Sequence, residues 1–184
     1  MKLKIKVKLI DGQKMPKVID KGDWVDLRVN KTVELFGPSI VKQKTPIGTK
    51  DGKVKKFKTD YVFLNDTIVY LPLGVAMELP DGFEAIVAPR SSMPKKFGVV
   101  TPNSFGVIDN SYSGDEDEWK LPVLALKPTT INREDRLCQF RIQLSQKATF
   151  WQKLKWFFSS GIEFVQVDSL DSPSRGGFGS TGNK

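Results

Sequence analysis

Apolar residues take alternate positions from the start of the chain. Leu3, Ile5, Val7 and Leu9 alternate with Lys2, Lys4, Lys6 and Lys8, the period of a strand with one buried face. Asp11-Gly12 then marks a turn. Short strand-like runs follow at 62–64, 68–71, 73–79, 85–88, 99–100, 105–108 and 121–126. Pro80-Asp81-Gly82 is a strong turn signal, and Pro122 points to an edge or a bulge. From Arg136 to Leu144 one parity carries Cys138, Phe140, Ile142 and Leu144, and the other carries Gln139, Arg141 and Gln143. Many short strands at this spacing predict an all-β sandwich, jelly roll or barrel, and there is no internal repeat. The segment from Phe150 to Phe158 reads as a helix, with Trp151, Leu154, Phe157 and Phe158 at near-helical spacing. It either packs on its own protein or docks on a partner or a membrane surface. Residues 172–184 are dominated by Gly and Ser, the composition of a flexible tail.

Composition narrows the chemistry. The chain of 184 residues is long enough for one domain, or one domain with a tail. It has no histidine, which excludes Ser-His-Asp and Cys-His triads and His-ligated zinc. Cys138 stands alone, so no intrachain disulfide or multi-cysteine metal site can form. No apolar run approaches the roughly 20 residues of a membrane span, and no signal peptide is visible. The expectation is a soluble, cytoplasmic protein that does not bind membranes. The net charge of +8, from 29 basic and 21 acidic residues, favours polyanionic partners without choosing among them. Part of the excess lies on the first strand, and part in Lys42, Lys44, Lys50, Lys53, Lys55, Lys56 and Lys58. Solvated faces are the ordinary explanation of both.

Four segments carry candidate chemistry. In Ala88-Pro89-Arg90-Ser91-Ser92 a guanidinium fork and two hydroxyls follow a strand-stopping proline, donors suited to phosphate; a capped turn is the ordinary alternative. The segment from Asn103 to Gly114 runs an apolar strand into a turn bearing Asp109 and Tyr112. A carboxylate at a strand end can serve as a general base towards water, and a tyrosine beside it can lie flat on a sugar. The alternative is a hairpin turn with a capping Asp. In Asp135-Arg136-Leu137-Cys138-Gln139-Phe140, parity sets Gln139 opposite the apolar face, where its amide meets a phosphate oxygen or simply solvent. In Arg175-Gly176-Gly177-Phe178-Gly179-Ser180-Thr181-Gly182, glycines let backbone N–H groups approach phosphates and Phe178 offers a ring to a base. No Gly-Lys-Ser/Thr follows, so this is not a P-loop.

In this order, the segments resemble the five motifs of the homotrimeric dUTPase family, in the wording of phage and prophage members. The motifs run from Asp26 to Gly182, nearly the whole chain. Asp26-Leu27 aligns with the family's Gly-Tyr-Asp-Leu, preceded here by Trp24-Val25. Arg175 lies three residues before Phe178 where the family has five, so its role as a γ-phosphate clamp is open. A lysine-rich insertion covers about 37–60, and a second, amphipathic one about 148–161.

The resemblance implies an all-β, jelly-roll-like (β-clip) fold over 1–171, assembled as a homotrimer with interfacial sites, and an arm at 172–184 that closes over them. It implies hydrolysis of dUTP to dUMP and pyrophosphate with Mg²⁺ on the triphosphate. Asp109 is then the base towards the attacking water. Tyr112 stacks under the deoxyribose and excludes a 2′-OH. Asn103, Gly106, Val107 and Ile108 read uracil on a hairpin whose return strand carries Lys120. Arg90, Ser91, Ser92 and Gln139 hold phosphates, and Asp26 orients a Mg²⁺-bound water. Arg175, Phe178 and Gly179 belong to the closing arm. The acidic run from Asp115 to Glu118 reads as a solvated turn rather than a metal site. Two rivals remain: the related dCTP deaminase, and a binding module in which the two insertions meet a protein or nucleic acid.

Overall fold

The computed structural model describes residues 1–19, 22–37, 39–50, 53–64 and 68–177. In chain order the elements are β1 (Leu3–Leu9), β2 (Val25–Leu27), β3 (Val33–Leu35), β4 (Ser39–Lys50), β5 (Lys53–Leu64), β6 (Val69–Pro72), β7 (Val75–Glu78), β8 (Phe83–Pro89), α1 (Met93–Phe97), β9 (Val99–Val100), β10 (Gly106–Ile108), β11 (Lys120–Ala125), β12 (Thr129–Ile131), β13 (Cys138–Leu144), α2 (Phe150–Phe157) and β14 (Ile162–Gln166). The architecture is all-β and jelly-roll-like, with two short helices.

The sheet that positions the candidate site has the order β10-β8-β13-β2. Its spine is the seven-residue antiparallel pairing of β13 with β8, from Cys138 opposite Pro89 to Leu144 opposite Phe83. The parity read from the sequence holds: Cys138, Phe140 and Ile142 are buried, while Arg141 and Gln143 are exposed. Phe140 is wholly enclosed and meets Trp119 edge-on at 5.2 Å. Burying one such ring stabilises the fold by about 1.5–3 kcal/mol. On β1, Leu3, Ile5 and Val7 face the core. That strand lies between β14, which runs parallel to it, and antiparallel β7. A third sheet has the order β6-β11-β9. Pro122 sits where β11 pairs with β6 alone, since β9 joins only at Leu124 and Ala125. The missing N–H therefore costs no ladder bond.

Three elements depart from the sequence reading. The lysine-rich insertion forms two paired twelve-residue strands, β4 and β5. Helix α1 carries Pro94 in its first turn and ends on Gly98, whose φ of 67° is the left-handed C-cap; the glycine is the legible signal. Helix α2 forms where expected and opens with a Thr149–Gln152 capping box. Of the two alternatives left open for its apolar stripe, most of the stripe is not packed on this chain: Trp151, Phe157 and Phe158 are exposed, as is Phe150, while Leu154 is half-buried. The anchor is Trp156, whose ring lies 5.3 Å from that of Phe83. Among the described residues, no helix is long and apolar enough to cross a membrane.

Candidate active site

The predicted residues gather at two ends of the β10-β8-β13-β2 sheet. At one end, Gln139 lies between Asp26 on β2 and Ala88 on β8. Just past β8, the backbone N–H of Arg90 donates to the Leu137 carbonyl at 2.8 Å, fixing where the loop leaves the sheet. The Asp26 carboxylate is gripped twice: Oδ1 lies 3.1 Å from Arg90 Nε, and Oδ2 accepts from Arg136 Nη1 at 2.9 Å. Arg136 belongs to the same constellation although the sequence reading gave it no role. Ser91 and Ser92 are exposed. Ser92 occupies the N-cap position of α1 without a side-chain cap bond, so the capped-turn explanation fails for its hydroxyl. Cys138, next in line, is fully buried; burial above all, then the Asp26 charge, pushes its thiol far above the ordinary range. It is structural rather than reactive.

The Mg²⁺ implied by the resemblance can be tested against these donors. Among the described residues no three Asp, Glu or Cys side chains gather as a metal-ligand cluster. Each Asp26 oxygen already meets a guanidinium. This donor set fits a Mg²⁺ carried by substrate phosphates, with Asp26 accepting from a water on the ion.

At the other end, β10 is an edge strand, paired with β8 alone from Gly106 opposite Val87 to Ile108 opposite Ala85. Among the described residues no strand pairs with its other side, where backbone groups need partners. Asn103 and Val107 are exposed, while Gly106 and Ile108 are half-buried. The turn after β10 is closed by the Tyr112 N–H donating to the Asp109 carbonyl at 3.0 Å. Asn110 pins it by donating to the carbonyls of Leu79 at 2.8 Å and Pro80 at 3.1 Å. Asp109 lines a cleft of about 630 Å³ together with Ser111, Lys147, Gln152 and Arg175. Arg175 Nη1 donates to Asp109 Oδ2 at 2.7 Å and to Ser111 Oγ at 2.9 Å. The Tyr112 hydroxyl donates to the Glu118 carbonyl at 3.1 Å. Burial, then the charges of Asp117 and Glu118, raise its pKa above the ordinary 10.

Four expectations need correcting. Lys120 opens β11 opposite Pro72 of β6, in another sheet from β10. The third segment is therefore a strand and a turn, not a hairpin with two paired arms. The acidic run is not simply a solvated turn: Glu116 is exposed, but the carboxylates of the other three acids accept from the chain's own backbone. Asp115 accepts from Leu170 N at 2.8 Å, Glu118 from Gly74 N at 2.9 Å, and Asp117 from both Arg175 N and Gly176 N. The tail is docked as far as Gly177, and it docks on its own chain's third segment. Phe178 and Gly179 lie outside the described residues. A signal for the acidic run did exist: four acids lead directly into Trp119, a wholly buried residue.

A family model for dUTPase matches residues 56–155. The chain is 39% identical over 183 residues to the SPbeta prophage-derived deoxyuridine 5'-triphosphate nucleotidohydrolase of Bacillus subtilis, covering 99% of this chain and 100% of that relative. The chain belongs to the dUTPase family. It is also similar to the deoxyuridine 5'-triphosphate nucleotidohydrolase of Finegoldia magna, 35% identical over 116 residues, or 61% of this dUTPase and 69% of that one. Solved structures share the fold of this dUTPase. That from Streptococcus mutans aligns with a TM-score of 0.56 at 19% identity, over 78% of this chain and 98% of its own. A mutant dUTPase from phage phi11 of S. aureus, described as coordinating a structural Mg(II) ion, aligns with a TM-score of 0.55 at 16% identity over 79% and 94%.

Proposed function

We propose that this dUTPase hydrolyses dUTP to dUMP and pyrophosphate by attack of water on the α-phosphorus. The carrying observation is Asp109, a carboxylate in an open cleft at the end of an edge strand with an unpaired backbone side. Uracil meets that edge at Gly106, Val107 and Ile108, with Asn103 beside it. Fixed backbone donors reject a wrong base by being left unpaired. Tyr112 supports the deoxyribose. Asp109 takes the proton of the attacking water, whose oxygen bonds to the α-phosphorus as the bridging oxygen leaves with pyrophosphate. Arg175 holds Oδ2 of Asp109, which leaves the base function to the other oxygen. Arg90, Ser91, Ser92 and Gln139 receive the phosphates. Asp26 is the residue that would face the water shell of a Mg²⁺ arriving with the substrate, and the ion would supply charge neutralisation, which together with positioning is most of what phosphoryl chemistry needs.

The two halves of this site belong to different copies of the chain. Asp26 and Asp109 lie at opposite edges of one sheet, three strand spacings and four residue steps apart, or about 20 Å. A water attacking the α-phosphorus must be within about 3 Å of its base, while Gln139 and Arg90 hold the same phosphate group. A homotrimer with interfacial sites satisfies both demands, and the arm from 172 onward closes each one.

The decisive assay is pyrophosphate release from dUTP compared with dCTP, dTTP and UTP, with and without Mg²⁺. Release confined to dUTP and dependent on Mg²⁺ is expected. Ammonia release from dCTP would favour the deaminase instead.

A further inference from the structure

Asp117 is the fully enclosed carboxylate among the described residues, at 1% exposure. Its Oδ2 accepts from Gly114 N and from Arg175 N, both at 2.9 Å, and its Oδ1 accepts from Gly176 N at 3.0 Å. Backbone N–H groups thus stand in for the water lost on burial, and bonds to an ionised acceptor are about twice as strong as neutral ones. Two of the three donors lie 58 and 59 residues further along the chain. The carboxylate therefore ties the third segment to the C-terminal arm.

Packing around it is built for the same purpose. The arm runs where a side chain at position 114 would be: a Cβ on Gly114 would lie 2.3 Å from Ser174 Cα. Ser174 Oγ accepts from Glu116 N at 3.1 Å. Gly177 lies against the Tyr112 ring so closely that a Cβ there would come within 3.1 Å of Cε2. With the backbone N–H of Arg175 gripped, its side chain lands on Asp109 and Ser111.

We propose that Asp117 is a positioning residue for the reaction. Its buried carboxylate sets the register of the arm, so that Arg175 meets Asp109 and the glycine-rich end starts beside Tyr112. Asp117 touches neither the nucleotide nor the reacting atoms, and its role rests on the reading of Asp109 as base. A carboxylate is required because two acceptor oxygens face three N–H donors. The amide of asparagine would turn a donor towards one of them.

The test compares full-length wild type, Asp117→Ala, Asp117→Asn and Gly114→Ala by amide hydrogen exchange and by dUTP kinetics. In Asp117→Ala the amides of Arg175 and Gly176 are expected to exchange roughly tenfold faster or more, while β8, β11 and β13 keep their protection. The kcat is expected to fall roughly tenfold to a hundredfold, the cost of misplacing a group by about 1 Å. Gly114→Ala keeps the carboxylate but wedges the arm away, and should reproduce both effects. Asp117→Asn should fall between. Undiminished arm protection in Asp117→Ala would overturn the clasp. An arm released in either alanine variant with kcat unchanged would overturn the positioning role. A uniform rise in exchange across the sheets, with Asp117→Asn no better than Asp117→Ala, would reduce Asp117 to a structural residue. Should Asp117→Ala fail to fold, Gly114→Ala and Asp117→Asn decide by the same criteria. Wild type inert towards dUTP would sink the proposed function, while its arm exchange would still report on the clasp.

Discussion

In a chain without histidine, a carboxylate is the base that the proposed attack of water calls for, and Asp109 lines an open cleft. Asp109→Asn keeps the shape and an oxygen for Arg175 but removes the base, so kcat is expected to fall about 10²–10⁴-fold. Steady-state turnover of dUTP measures it, and a near-normal rate would remove Asp109 from the role. If Tyr112 bars a 2′-OH as proposed, Tyr112→Ala should fold yet lose selectivity for dUTP over UTP; the ratio of kcat/KM values reads this directly. Both residues could be proposed from the sequence because they lie in one short contiguous segment. The destination of Arg175 could not. A shift of two residues against the family spacing means nothing until the grip of Asp117 on its backbone is known, and that contact spans 58 positions.

Among elements, the acidic run and α2 show that local composition does not fix a segment's surroundings. Four consecutive acids read as solvent-facing, yet the carboxylates of two of them, Asp115 and Asp117, fasten the chain that returns after β14. Asp115 contributes through its bond from Leu170 N above all, and then through Lys8, which hold its carboxyl below the ordinary 3.8. A depressed folded pKa gives a contribution that is complete above the unfolded value and lost as pH falls through the folded one. The protection of the Leu170 amide, relative to the intrinsic exchange rate at each pH, should therefore be full at pH 6 and decline as pH drops below about 4. Constant protection down to pH 2 would contradict this link. In α2 the spacing predicted a helix but left open which face meets the protein, and Trp156 turned out to be the residue against Phe83. Trp156→Ala should destabilise by about 1–3 kcal/mol in urea unfolding, less than a fully buried ring. Trp151→Ala, 75% exposed, should stay within about 0.5 kcal/mol.

For the whole molecule, the separation of Asp26 from Asp109 makes a further demand. If each site takes its base from one copy and its phosphate ligands from the next, chains carrying Asp109→Asn and chains carrying Arg90→Ala should each be nearly inactive alone. Refolded together in equal amounts, they should recover up to about a quarter of wild-type activity, because one site in four then joins two intact halves around the ring. A mixture as inactive as its components would place both halves of the site on one chain. Light scattering on the same samples reports the number of copies.

The strand pattern, the parity of β1 and β13, the α2 helix and the residue types of the site were all present in the sequence, because periodicity and side-chain chemistry are local properties. Tertiary structure decided the rest. It made β10 an edge strand paired with β8, turned the stripe of α2 outward, and buried Asp117 beneath a returning arm. It also set the two groups of site residues at opposite ends of one sheet. Each of these depends on which distant segment supplies the missing hydrogen bonds or covers the apolar face, and neighbouring residues along a chain do not carry that choice.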